Sequence, residues 1–217
     1  MPDMEDKKIS EHESLQIIQQ MILTAKQEQR DDGKGWILWG WLLFSTSVIT
    51  IANLQYHWFY NYFFWNAFGI ISIVVLLYSI IRHFFFKKNA RVKTYTGELF
   101  EKLNIGFFIS LSFIILSMNR GVSPDNGFAL LISLYGFWIL IYGTALNFKP
   151  SIIAAYVTWA IGFVALFTHK FTDSPHDQFQ WIMIFHALAA LCGYIIPGHI
   201  ANNQFKKINR KVNPIGV

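Results

Sequence analysis

Six long apolar stretches without a single acidic side chain constrain this chain more than any other feature. They lie at about residues 36–54, 60–82, 103–118, 128–146, 152–167 and 181–197, and all 13 Asp and Glu fall outside them. Each run is continuous, whereas barrel strands would alternate apolar and polar over about ten residues. Backbone groups in lipid must be satisfied internally, and a helix does this by itself. Several runs hold only 16 to 19 residues, close to the minimum for crossing a hydrocarbon core about 30 Å thick. Composition agrees: 53% of residues are hydrophobic and 14% charged, against about 25% charged in soluble domains. The expected fold is all-α, a polytopic transmembrane bundle of six spans preceded by a cytoplasmic amphipathic helix. Residues 1–33 are then leader and helix, 34–200 the membrane domain and 201–217 a basic cytoplasmic tail. The first 35 residues are polar and contain no apolar signal-peptide core.

Lys and Arg set the orientation. The N-terminal segment, the 82–102 loop, Lys149 and the tail hold 16 of the 18, and the opposite loops hold only Arg120 and Lys170. The positive-inside rule therefore places both termini in the cytoplasm. Trp36, Trp39 and Trp41 mark the inner end of the first span. Tyr56, Trp58, Tyr60, Tyr62 and Trp65 crowd the first outer loop, where amphipathic rings favour the headgroup zone. Pro150 suits the first turn of the fifth helix, and Pro197-Gly198 is expected to close the sixth.

Residues 10–30 read as a helix outside the membrane. Ser10 and Glu13 fit a capping box. Leu15, Ile18, Met21, Ile22 and Ala25 then form one apolar face. Residues 10–32 carry five acids and two bases, whereas a helix lying on anionic lipid would be basic. The face is expected to meet protein: its own chain on the plainer reading, a partner or second copy on the sharper one. The basic 82–102 loop and tail serve as orientation signals, with a lipid-headgroup site as the alternative. Neither resembles a nucleic-acid-binding module.

Proton- and sodium-coupled transporters usually place carboxylates within the membrane, and these spans have none. HExxH, GxSxG, a Walker lysine and a Gly-rich phosphate loop are also missing from the sequence. The lone Cys192 rules out an intrachain disulfide. His186 is the one histidine well inside a span. Its plainer role is a neutral histidine bonded to another helix; a haem ligand or proton relay is the alternative. Haem between helices usually takes two His, and His199 is thirteen residues away, so no cofactor is expected. The outer segment with His169, Asp173, His176 and Asp177 matches no metal-binding spacing, and no metal is expected there. Ala154, Thr158 and Gly162, and likewise Ala189 and Gly193, recur every four residues and mark helix faces fit for close packing within or between chains.

ESLQIIQQMILTAK at 13–26, GWILWGW at 35–41, LNFKP at 146–150 and YIIPGH at 194–199 together resemble a family of small six-span bacterial inner-membrane proteins without an assigned activity. The resemblance reaches across nearly the whole chain. It implies the topology and location, and it supplies no catalytic residue. The expected role is that of a non-enzymatic component in interaction, sensing or regulation, with the bilayer and a protein partner as its contacts. A small transporter or channel is the alternative, lined by Ser45, Thr46, Ser47, Thr50, Asn53, Asn66, Ser110, Ser112 and Ser117. Those hydroxyls could equally bond their own helices. A membrane enzyme or haem subunit resting on His186 ranks third.

Overall fold

A computed structural model describes residues 32–85 and 95–212, together with Leu15. Residues 32–217 form one compact unit and residues 1–31 another. The expected N-terminal face of Ile18, Met21, Ile22 and Ala25 lies outside the described residues, and Leu15 is helical.

Among the described residues there is no strand. The helices are α1 (Lys34–Tyr56), α2 (Phe63–Phe85), α3 (Tyr95–Asn119), α4 (Pro124–Ala145), α5 (Lys149–Ala165), α6 (Pro175–Ala190) and α7 (Ile196–Val212). Among the described residues, four helical stretches are long and apolar enough to cross a membrane: Lys34–Tyr56, Lys102–Asn119, Pro124–Ala145 and Pro175–Lys207. Phe63–Val74 and Lys149–Ala165 are apolar but shorter.

Local chemistry explains the starts. Pro124, Pro150 and Pro175 each stand in a first turn, where a missing N–H leaves no helix bond unmade. Before α6, the Ser174 hydroxyl accepts the Asp177 N–H at 3.5 Å. Gly33 precedes α1 with φ 69°, a left-handed conformation that glycine adopts without a Cβ clash.

Three expected boundaries are corrected. α2 starts at Phe63, after a turn, and runs to Phe85, so the basic loop expected at 82–102 is helical at both ends. α3 starts at Tyr95 and carries Glu98, Glu101 and Lys102 within it. Hydropathy marks the apolar part of a helix, and a helix continues beyond it. The expected stop at Pro197-Gly198 is also absent. A π turn, Leu191–Ile195, joins α6 to α7, and the Ile196 N–H bonds the Leu191 carbonyl five residues back. Proline within an α-helix clashes with the carbonyl four residues earlier. The wider turn just before Pro197 relieves this by shifting the bonding register. Most of the expected tail, up to Val212, is therefore helix.

Small residues set the packing of α1, α4, α5 and α6. A Cβ on Gly136 of α4 would lie 2.7 Å from the Trp159 indole of α5. One on Gly193 would lie 2.7 Å from both Ile139 Cδ1 and Thr158 Oγ1. Gly162 faces Ile132, and Ala154, Thr158 and Ala189 are buried. The small-residue faces therefore meet other helices of this chain. α7 closes on the start of α1, where Asn202 Nδ2 donates to the Asp32 carbonyl at 2.8 Å. α2 and α3 pack more loosely: 11% of the Lys102–Asn119 stretch is buried, against 50% of Pro124–Ala145.

Candidate functional site

The candidate site centres on His186. α6 carries it into the core, where it is fully buried. Trp65 of α2 packs edge-on to its ring at 4.5 Å between centroids. Phe128 and Tyr135 of α4 do so at 5.8 and 5.4 Å. Trp65 Nε1 lies 2.8 Å from the Met183 sulfur one turn away. The bond to another helix expected of a buried histidine is present: Nδ1 lies 3.1 Å from Ser47 Oγ on α1.

That bond sets the tautomer. Ser47 Oγ also lies 2.9 Å from the Leu43 carbonyl, to which it donates its only proton. Ser47 therefore accepts from an Nδ1–H, and Nε2 carries a bare lone pair. Nε2 is buried with no partner, and so are the hydroxyls of Tyr135 and Tyr194. The two phenol rings meet edge to face at 5.8 Å. Tyr194 stands in the π turn, and its ring stacks on Trp36 of α1 at 5.0 Å. One acceptor and two donors thus share the core of the bundle. A buried polar atom without a partner costs about 1–3 kcal/mol, which singles out this part of the core as the candidate site.

A cavity of about 180 Å³ lies beside this cluster between α2, α3 and α4. Tyr62, Asn66 and Asn119 line it toward the loops at 57–62 and 120–123. Trp65, Phe128 and Tyr135 line it as well, and these are the rings that surround His186.

The other sequence candidates fall elsewhere. Thr46, Ser47, Thr50, Ser110, Ser112 and Ser117 each donate to the carbonyl four residues back. Asn53 holds the loop after α1, accepting the Phe59 N–H at 2.8 Å and donating to the Phe59 and Tyr60 carbonyls. His176 bonds the Leu54 carbonyl at 3.1 Å and Asp177 at 3.3 Å, tying α6 to α1. No group of three metal-ligating side chains occurs among the described residues. Tyr135 and Tyr194 were not foreseen. The available signal was tyrosine in the middle of an apolar run, far from the interface where its hydroxyl would be wetted. The chain matches no protein-family model, no curated protein and no solved structure.

Proposed function

We propose that this chain is an integral membrane protein of six spans, both termini cytoplasmic, in a bacterial inner membrane, and that it serves as a non-enzymatic sensing or interaction component. The observation that carries the membrane reading is the outward apolar surface. Ile70, Ile71, Val74 and Leu77 on α2, Ile109, Phe113 and Leu116 on α3, and Ile153, Tyr156 and Phe163 on α5 are all exposed. Soluble monomers rarely expose apolar patches beyond a few hundred Å². Lipid is the solvent such a surface suits. The bias of Lys and Arg supports the orientation, and the resemblance to six-span bacterial proteins supports the location.

A sensing role fits an inward-facing cluster that is uncharged and sealed by aromatic rings. It offers hydrogen bonds for recognition. The transporter reading is served less well, because the hydroxyls that would line a path bond their own helices. The acidic segment before residue 32, with Leu15, Ile18, Met21, Ile22 and Ala25, is the natural contact for a protein partner or a second copy.

Reporter fusions test the topology. Those after Lys88 and Val217 should behave as cytoplasmic, and those at Asp125 and Asp173 as external. A periplasmic signal at Val217 overturns the six-span reading. For the N-terminal contact, Ile18→Asp should speed limited proteolysis before Trp36. Equal cleavage of both proteins removes docking within the purified protein.

A further inference from the structure

Three rings belong to both features of the core. Trp65, Phe128 and Tyr135 line the cavity and also surround His186. The described residues of the cavity wall include no charged side chain; besides aromatic and aliphatic groups they offer the Met118 thioether and the amides of Asn66 and Asn119. Along α4 the lining runs from Pro124 to Tyr135, eleven residues that rise roughly 16 Å at 1.5 Å each. The cavity therefore reaches from the amide end well into the bundle, and Tyr135 stands at its inner end.

The chemistry there is specific. Of the unpartnered polar atoms in the core, the Tyr135 hydroxyl is the one whose residue lines the cavity, and it has a proton to give. A carboxylate or an ammonium would bring a charge into a wall whose described residues carry none. A hydroxyl oxygen accepts from the Tyr135 phenol and stays neutral. The rest of the cavity favours a flat apolar body, since aromatic rings pack well edge-on and offset against one another.

We propose that this cavity binds an uncharged aromatic alcohol of one or two rings. Its rings lie against Trp65 and Phe128. Its hydroxyl sits at the inner end, accepting from Tyr135. The inference deepens the sensing reading by naming a ligand class. It rests on helix packing and stands apart from topology, so a failed fusion experiment leaves the binding experiment intact.

The test is equilibrium dialysis of the full chain, purified in neutral detergent, with 1-naphthol and with naphthalene, each against a detergent-only control. Saturable uptake of one 1-naphthol per chain is expected, with naphthalene about tenfold weaker. Tyr135→Phe keeps the ring and removes the hydroxyl. It should shrink the naphthol-to-naphthalene ratio at least threefold and leave naphthalene unchanged. Ile115→Phe narrows the cavity away from His186 and should weaken both compounds together, which distinguishes the cavity from the lipid-facing surface. Thermal scans confirm that each variant is folded, and either variant alone suffices for the test. Uptake equal to the detergent control, equal binding of the two compounds, an unchanged ratio in Tyr135→Phe, or unchanged binding in Ile115→Phe each overturns the proposal.

Discussion

The α4–α5 hairpin and the α2–α3 pair are made from similarly apolar sequence, yet they pack by different means. In the hairpin, glycine and alanine bring the helices close: a Cβ on Gly136 would strike Trp159, and Ala155 is fully buried. In the pair, Gly106 has nothing within 4 Å of its would-be Cβ, and Gly69 only the Ile115 tip at 3.8 Å. Lipid tails are as apolar as leucine, so burial alone does not drive helices together in a bilayer. Close van der Waals fit does. The difference teaches that the same hydropathy can build either a rigid scaffold or a looser flank, and that small residues decide which. The cavity lies on the looser side, where α2 and α3 meet α4.

Substitutions can break this contrast, and the largest effect should come from filling a tight contact. Gly136→Leu should destabilise by roughly 3 kcal/mol, at the upper end for overpacking. The indole it would strike is held by a 2.9 Å bond from Trp159 Nε1 to the Ser133 carbonyl and has little freedom to move. Gly106→Leu should change stability by less than about 0.5 kcal/mol. Thermal unfolding of both variants in one detergent measures the difference. Comparable losses would mean that α3 packs as tightly as α4.

Emptying the scaffold comes next. Ile139 is fully buried against Gly193, and Ile139→Ala should cost about 2 kcal/mol, the low end for such a truncation, because the unfolded reference in detergent is also apolar. Phe113, 72% exposed on α3, should lose far less when cut to alanine. The same unfolding series decides, and an equal fall for Phe113→Ala would reveal a second subunit covering that face. The smallest effect concerns hydrogen bonds. Ser47→Ala removes the bond to His186 and should cost about 0.6 kcal/mol, a typical value for one interhelical bond in a membrane protein. Ser110→Ala, whose bond stays within its own exposed turn, should be silent. A silent Ser47→Ala would mean that Ser47 does not hold the His186 ring.

Much of the scaffold is legible in the sequence. Each of the six apolar runs contains a helix, because a continuous apolar stretch leaves the backbone few other ways to satisfy itself. The small residues at 154, 158, 162, 189 and 193 are legible for the same reason: spacing by four is a helix face. The end of α6 is not legible. Pro197-Gly198 is a strong local breaker, but Gly198 faces Ile37 and Trp36 closely, and that tertiary contact holds the chain helical past it. His186 is legible as a buried histidine and its partners are not, since Ser47 stands 139 residues away. No local pattern brings α1, α4 and α6 to one point. Tyr135 and Tyr194 are visible in the sequence only as tyrosines out of place.

The π turn at Leu191–Ile195 has a consequence for what lies beyond it. Such a turn is an α-helix with one surplus residue, and one residue is about 100° of rotation. The azimuth of the side chains from Ile196 to Lys207 is therefore set by that single insertion. It brings Gly198 and Asn202 round to the Asp32–Gly33 corner. Delete one residue at 191–195 and the helix closes into regular winding, while its far end swings by more than a quarter turn and its grip on the head of α1 is lost. One codon thus acts as the gear tooth that meshes the last helix with the first.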